Sequence, residues 1–235
     1  MKRLPLLALA SVLCVGAHAQ VTIYNGLNAA NVNYGFGSWD GGSGDFSGSN
    51  FGDEQGQVIT NTVGATTVTS VEGYFLGYDA ASSATGMLVQ VYNFSGGTVG
   101  SLVGQQVVTS PTETDTPGGF VQYGGAYTEY DITASVNISG LVAGNQYLVA
   151  LQGQGPNWGF IGANTGDGNS NVYSRNNSAN GYSGDFGTDW AGIDTYGYPQ
   201  GDLDLAVTGT AAPEPATYAF LALGVLGVIR RRRRA

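Results

Sequence analysis

The sequence is divided into short runs of β-forming residues that alternate with turn residues. Residues 68–78, VTSVEGYFLGY, and 87–92, MLVQVY, are two such runs, and Gly, Asn and Ser separate them from their neighbours. Residues 20–212 show no apolar period of 3.6 residues. This pattern predicts an all-β fold, a single antiparallel β-sandwich of jelly-roll type. Further strands are expected at 20–24, 102–109, 127–133, 146–152, 158–163, 171–174 and 203–208.

The composition supports a packed domain. Thirty-six of the 39 glycines lie in residues 20–212, a content that is also typical of disordered chains. The same segment holds 13 of the 14 tyrosines and all three tryptophans, which are residues that fill cores. A chain of about 190 residues can bury one core. Residues 141–147, LVAGNQY, predict a turn before a buried strand, a pattern similar to the last part of jelly-roll modules.

The C-terminal 23 residues combine three features in order. Pro213, Glu214 and Pro215 come first, an uncharged stretch (216–229) follows, and the segment closes with the arginines Arg230, Arg231, Arg232, Arg233 and Arg234. This arrangement resembles the PEP-CTERM sorting signal, found on bacterial surface and secreted proteins that are handled by exosortase, a membrane-embedded sortase analogue. The resemblance implies sorting and processing at the Pro-Glu-Pro tripeptide.

The uncharged stretch 216–229 is expected to form a transient membrane helix. Its 14 residues would rise about 21 Å as a helix, less than the ~30 Å hydrocarbon core. The alternatives are a buried globular helix and, for the arginines, a nucleic-acid patch. Five consecutive arginines cannot be buried but can lie among lipid headgroups, and the positive-inside rule places them in the cytoplasm.

The N-terminus predicts a cleaved signal peptide. A basic start and a 13-residue apolar core (4–16) precede the small residues Ala17 and Ala19, a pattern typical of signal peptidase substrates. The mature chain is expected to begin at Gln20. The predicted organisation is therefore a signal peptide (1–19), a β-sandwich domain (20–212) and a sorting signal (213–235).

These two ends predict the location of the protein. The domain 20–212 is expected on the far side of the cytoplasmic membrane, first held by the C-terminal helix and then at the cell surface or outside the cell. Signal peptidase and an exosortase-type membrane protease are the partners that this route implies.

The exported segment is strongly acidic. Arg175 is the only basic residue in 20–212, against 16 acidic residues, which gives a formal charge of −15. Such a surface repels nucleic acid, anionic lipid and acidic polysaccharide and attracts cations. Nucleic acid is therefore excluded as a partner.

The residue types that are missing exclude most catalytic chemistry. Residues 20–212 contain no His, Cys or Lys, so Ser-His-Asp triads, thiol catalysis, His- or Cys-ligated zinc and P-loops are ruled out. A carboxylate pair can still hydrolyse glycosides, with Glu54, Glu72 and Glu129 as candidates. Because 16 acids form chance pairs, the simpler interpretation is that these carboxylates are solvated or cap loops.

Acidic, Gly-rich segments are candidates for calcium binding. Residues 40–54, 164–171 and 185–194 combine Asp, Asn and Gly, and Ca²⁺ prefers six to eight oxygen ligands that such loops can supply. None of them has the EF-hand spacing, and Asx-turns on exposed loops are the alternative. The proposed ligands are Asp40, Asp45, Asp53, Asp185 and Asp189.

Two identical tetrapeptides suggest a second kind of ligand. The sequence SGDF occurs at 43–46 and at 183–186, and Trp39 and Trp190 lie close to the two copies. If the copies meet in space, the tryptophans and nearby tyrosines can stack on sugar rings while Asp and Asn bond hydroxyls. The alternative is that these aromatic residues fill the core.

A further resemblance concerns the domain itself. Residues 51–55, FGDEQ, form a GDE loop before the strand VTSVEGY, and the strand MLVQVY and the loop Gly96-Gly97-Thr98 follow. This succession is similar to uncharacterised extracytoplasmic β-sandwich domains that precede PEP-CTERM signals. The resemblance implies a fold and no activity.

The sequence thus predicts a non-enzymatic structural or interaction protein of the cell surface or extracellular matrix. A carbohydrate-binding module, with or without calcium, is the alternative, and an acid-pair glycosidase is a more distant one. Ice binding is the most distant, because residues 66–69, TTVT, contain a single Thr-x-Thr where a flat face would need several.

Overall fold

A computed structural model describes residues 19–27, 34–37, 50–77, 86–109, 112–122, 125–154, 160–164, 171–178, 189–192 and 202–212. These residues form strands, turns and bends, and no helix. The strands are β1 (Ala19–Asn25), β2 (Tyr34–Gly37), β3 (Asn50–Thr60), β4 (Ala65–Gly77), β5 (Gly86–Ser95), β6 (Thr98–Val108), β7 (Thr112–Gln122), β8 (Gly125–Ser139), β9 (Gln146–Gln154), β10 (Phe160–Asn164), β11 (Val172–Ser178), β12 (Ala191–Gly192), β13 (Asp202–Leu203) and β14 (Leu205–Ala211).

Two antiparallel sheets contain these strands. The eight-stranded sheet has the order β1-β14-β4-β10-β13, and in addition β8 pairs with β4, β7 with β8 and β2 with β10. The six-stranded sheet has the order β12-β11-β3-β9-β5-β6. The central orders β1-β14-β4-β8 and β3-β9-β5-β6 are those of a jelly roll with two Greek keys. The predicted all-β sandwich is confirmed.

The main core lies between the two sheets. Val71 and Ile132 from the eight-stranded sheet and Val89 and Val149 from the six-stranded sheet belong to this core and are at most 2% exposed. They alternate along each strand with residues that face outward, as expected for packed sheets. Burial of these β-branched side chains holds the sandwich together.

A second apolar cluster covers part of the outer face of the six-stranded sheet. Val58, Tyr92, Leu148 and Ala150 form it, and each lies next in sequence to a residue of the main core. Because neighbouring side chains of a strand point to opposite faces, this cluster lies outside the sandwich. Partly buried Trp190 packs against it.

Two connections have the turn geometry that their glycines allow. Gly96 and Gly97, with φ of 58° and 78°, link β5 to β6 in a two-residue hairpin with positive φ at both positions. Gly140 and Gly144 also have positive φ, 105° and 81°, and Gly144 lies in the predicted turn before β9. Tyr147, at the start of β9, is 1% exposed, as expected.

Strand β3 corrects one expectation. Residues 52–54, expected in a loop, lie inside β3, which pairs with β9 on one side and β11 on the other. This polar strand can be buried because its inward-facing side chains form hydrogen bonds with residues that are distant in sequence: Gln55 contacts Ser174, and Gln57 contacts Asp202. Strands β2, β7 and β12 were not expected either.

The described part of the chain contains no helix of the length and apolarity that a membrane crossing requires. The expected helix 216–229 and residues 1–18 of the expected signal peptide lie outside the described residues.

Candidate functional site

The two ends of the exported domain lie side by side. Ala19 pairs with Ala211, and Gln20 pairs with Thr210, in the antiparallel ladder of β1 and β14. The predicted signal-cleavage residues Ala19 and Gln20 are thus the first residues of β1, whereas Ala17 lies outside the described residues. Ala212 is the single residue between β14 and Pro213. The described residues next to the two predicted processing points therefore pair at one end of the eight-stranded sheet.

The remaining sorting residues lie outside the described part of the chain. These are Pro213, Glu214, Pro215 and the five arginines 230–234.

Arg175 and three neighbours form an arginine cluster on the outer face of the six-stranded sheet. The Arg175 Nε lies 2.5 Å from a carboxylate oxygen of Glu54, and the Arg175 and Glu54 side chains are 19% and 1% exposed. Arg175 Nη2 donates to the Tyr92 hydroxyl at 3.1 Å. The guanidinium carbon lies 4.7 Å from the ring centre of Trp190, which is within cation–π distance.

The strand register explains this cluster. Arg175 on β11 is the direct cross-strand partner of Glu54 on β3, so their side chains leave the same face of the sheet. Tyr92 lies on β5, beyond β3 and β9, and the Trp190 and Tyr92 rings meet edge to face with 5.7 Å between ring centres. The cluster therefore connects β3, β5, β11 and the segment 189–192.

The electrostatics of the cluster favour the ionised pair. Burial would lower the pKa of Arg175, but the hydrogen bond and the charge of Glu54 raise it above its ordinary value. Burial raises the pKa of Tyr92, while Arg175 opposes that change. Tyr92 thus remains a neutral phenol at physiological pH.

A second aromatic contact lies on the same outer face. Tyr173 and Phe94 meet edge to face with 5.1 Å between ring centres, and the Tyr173 hydroxyl donates to the Gly97 carbonyl at 3.1 Å. Tyr173 and Arg175 on β11 both reach side chains of β5 across the two strands between them. The outer face of the six-stranded sheet thus carries a row of aromatic rings, Tyr92, Phe94, Tyr173 and Trp190.

The structure connects two residues that the sequence named for separate reasons. Glu54 was a candidate acid and Trp190 a candidate sugar platform, and Arg175 contacts both. Arg175 itself was missed as a site residue. The sequence feature that could have identified it is that Arg175 is the only basic residue of residues 20–212, against 16 acidic residues. Trp39 and both SGDF copies lie outside the described residues.

The proposed calcium ligands are not brought together in the described residues. Asp40, Asp45 and Asp185 lie outside them. Asp53 is in β3 opposite Asn176, and Asp189 is exposed. The described residues contain no group of three or more His, Cys, Asp or Glu that could hold a metal ion.

A hydrogen-bond network of side-chain amides around Asp202 joins the two sheets. Gln57 on β3 donates to Asp202 Oδ1 at 2.7 Å and accepts from the Leu203 backbone N–H at 2.8 Å. Asn171 donates to the same Asp202 oxygen at 3.3 Å. Through this oxygen Asp202 ties β3 to β13.

The candidate acids face different directions. Glu72 lies on β4, next in sequence to the core residue Val71, so it faces outward from the eight-stranded sheet, whereas Glu54 faces outward from the other sheet. Burial raises the pKa of Glu72, and the charge of Asp131 raises it further. Burial also raises the pKa of Asp131. Glu129 is in β8 opposite Leu76.

The end of β14 and the residues that follow it match a known protein family. Residues 211–234 match the family described as the PEP-CTERM protein-sorting motif. The chain carries a PEP-CTERM sorting motif. This PEP-CTERM protein is an exported protein sorted by exosortase, as the C-terminal residues predicted. No curated protein and no solved structure matches the chain.

Proposed function

We propose that the jelly-roll domain of this PEP-CTERM protein is a non-catalytic structural or interaction module of the cell surface or extracellular matrix. After signal cleavage the C-terminal helix holds it in the membrane. Processing near residues 213–215 then releases it or attaches it outside.

The contact between Arg175 and Glu54 is the observation that supports a non-catalytic role. Arg175 has the only basic side chain of residues 20–212, and it is bound to a buried carboxylate. It is therefore not available to hold an anionic substrate or to stabilise negative charge in a transition state. Glu54, in turn, is held as the ionised partner of Arg175 and is poorly suited to act as a general acid.

The positions of Glu54 and Glu72 support the same proposal. The two carboxylates lie on opposite outer faces of a sandwich whose sheets pack about 10 Å apart. Glycosidase carboxylates flank one bond at about 5–9.5 Å. These two acids therefore do not share a site.

Mass spectrometry of the protein from its native host tests the route. We expect a mature chain that begins at Gln20 and ends near Pro213. Intact arginines 230–234 on the bulk of the surface protein would contradict the processing step. Hydrolysis of polysaccharides from a broad panel, lost in Glu72→Gln, would contradict the non-catalytic role.

Carbohydrate binding is the second candidate, and the row of aromatic rings on the outer face of the six-stranded sheet favours it. Tyr173 is the ring of this row best suited to a test, because its hydroxyl bond to Gly97 is exposed. Arg175 already covers one face of Trp190, so Trp190 offers at most its other face. A glycan array with the wild type and with Tyr173→Ala separates the candidates, since binding lost in a variant of unchanged melting temperature indicates a sugar site.

A further inference from the structure

One end of the sandwich, here called the chain-end pole, gathers both chain ends and three connections. It consists of residues 19–21, 61–64, 96–97, 140–145 and 209–212. Ala211 pairs with Ala19 on one side and with Ala65 on the other. Ala65 follows the β3–β4 connection, so that connection lies beside the chain ends.

Backbone hydrogen bonds hold the connections of the pole together. Asn61 N donates to Asn145 O at 3.0 Å, and Gly144 N donates to Asn61 O at 2.9 Å. The Asn61 side chain donates to the Val142 carbonyl at 3.1 Å and to the Ala65 carbonyl at 2.8 Å. The hairpin at 96–97 lies at this end too, because Phe94 pairs with residue 146 at the start of β9.

The pole presents apolar side chains to the outside. Val63 is 40% exposed and Val142 is 56% exposed, and both lie at the tips of these connections. The Val142 backbone N–H donates to the Tyr147 hydroxyl at 2.7 Å, so the loop is fixed in a conformation that leaves the valine outside. Because hydrogen bonds of the backbone and of Asn61 hold these connections, polar residues at the two tips would not lower the stability of the fold.

The pole also has no charged side chain, although residues 20–212 have a formal charge of −15. None of its residues is Asp, Glu, Lys or Arg. Along β4 the first acid is Glu72, seven residues beyond Ala65, or about 23 Å at the usual strand rise. Along β3 the nearest acid is Glu54, six residues before Thr60, or about 20 Å. Both distances exceed the screening length of about 8–10 Å in physiological salt.

The chain that leaves the pole leads directly to apolar sequence. Ala19 lies three positions after the end of the apolar stretch 4–16, and the stretch 216–229 begins five positions after Ala211. These connections span at most about 11 and 18 Å when fully extended. While either stretch lies in a membrane, the pole is therefore, among the described residues, the part of the domain closest to the lipid.

We propose that the chain-end pole rests on the lipid bilayer, with Val63 and Val142 in its interfacial region, while the PEP-CTERM tail holds the domain. The occupant is lipid because the pole combines exposed valines, no charged side chain and a short tether to membrane sequence. The inference rests on the membrane-held intermediate of the proposed function. It adds a surface by which the folded domain itself contacts the membrane, with Glu54 and Glu72 kept away from the headgroups.

The contact is expected to depend on the tether. Two valines bury too little apolar surface to anchor a protein alone, but a tethered domain meets the bilayer at a high effective concentration. Cleavage of the tail removes that advantage. The domain would then leave the membrane without a further release step.

Lipid quenching in reconstituted vesicles tests the inference. The full chain, with Cys14→Ser, is reconstituted in phosphatidylcholine vesicles after labelling at Val142→Cys or Val63→Cys with an environment-sensitive dye. Thr109→Cys is the matched control, because Thr109 is exposed and follows β6 at the opposite end of the sandwich. We expect a blue shift and loss of emission with doxyl-labelled lipid at Val142 and Val63, and neither at Thr109.

The other outcomes are equally informative. Val142→Asp is expected to reduce the quenching of a dye at Val63, as a charge at the tip would lift the pole from the lipid. Equal, solvent-like emission at Val142 and Thr109 would overturn the inference. So would a shifted dye that doxyl lipid does not quench, since that result indicates a protein contact. Processing, measured by mass in the native host, is scored separately, so its failure is distinguishable from failure of the lipid contact.

Discussion

The Nε atom of Arg175 on β11 lies 2.5 Å from a carboxylate oxygen of Glu54 on the adjacent strand β3, and Arg175 is the only basic residue of residues 20–212. The pair joins the second apolar cluster, where Tyr92 and Trp190 surround the guanidinium. The single basic side chain is thus used to hold together the partly buried cluster on the outer face of the six-stranded sheet. Because it is used there, the other 15 acids of residues 20–212 have no basic side chain of the segment to pair with.

Breaking this ion pair should strongly destabilise the domain. Removing one partner of a buried pair costs about 3–5 kcal/mol, because the other charge stays buried. Arg175→Met should cost more than Glu54→Gln, since Glu54 is the more buried partner. The double variant should lose less than the sum of the two single losses. Urea unfolding of the four proteins measures these terms.

Glu72→Gln is the matched control, since it removes an outward-facing carboxylate from the other sheet. A loss of stability in Glu72→Gln as large as that in Glu54→Gln would contradict the special role of the pair.

Strands with continuous apolar runs could be predicted, and polar strands could not. Residues 87–92 and 146–152 are rich in Val, Leu and Tyr and lie in β5 and β9 as expected. Strand β3 reads NFGDEQGQVIT, which is a turn-like composition. It is nevertheless central, because Gln55 and Gln57 bond to residues 119 and 145 positions away. Local sequence does not reveal such partners.

The same limit applies to the site. Charge counting singles out Arg175, but its partner depends on the β3–β11 register, which joins residues 121 positions apart. The sorting motif, in contrast, is contiguous, and its three parts are visible without any fold. The pairing of Ala19 with Ala211 required the topology, since the two residues are 192 positions apart.

Gly209 should not tolerate a side chain. A Cβ at this position would collide with the Thr67 carbonyl oxygen and come within 2.8 Å of Ile23 Cδ1. Because the first obstacle is backbone, the β4–β14 ladder would have to shift, so Gly209→Ala should cost about 1–3 kcal/mol or more. Thermal and urea unfolding provide the measurement.

Gly96→Asn is the comparison for that substitution. Gly96 has open space around it and φ of 58°, and Asn suits hairpin positions with positive φ. It should change stability by less than about 0.5 kcal/mol. Similar losses in Gly209→Ala and Gly96→Asn would show that the close approach at Gly209 is not the cause.

Glu72 and Asp131 should make the domain more stable in mild acid. Both have folded pKa values above their ordinary values of 4.5 and 3.8, chiefly through burial. The folded state therefore binds protons first, and this contribution is complete below the ordinary pKa values and is lost as pH rises through the raised ones. Glu72→Gln should thus raise the melting temperature at pH 7, with a difference that shrinks toward pH 4.5.

Asp189→Asn removes one negative charge at an exposed position and corrects for the general benefit of a lower net charge. If Asp189→Asn and Glu72→Gln give the same pH profile, the local environment of Glu72 plays no part.

Calcium should stabilise the exported domain beyond the effect of ionic strength. A segment with a charge of −15 repels itself at low salt, and any salt screens this repulsion. A cation bound to the folded form alone adds stability by mass action. We therefore expect residues 20–212 to melt at a higher temperature in millimolar CaCl₂ than in NaCl of the same ionic strength.

Equal melting temperatures in calcium and in EDTA at matched ionic strength would contradict specific calcium binding and leave general charge screening as the only effect. Replacing Asp40, Asp45, Asp53, Asp185 and Asp189 together by Asn should abolish the calcium-specific part, and a rise that survives this replacement would place the cation on other ligands.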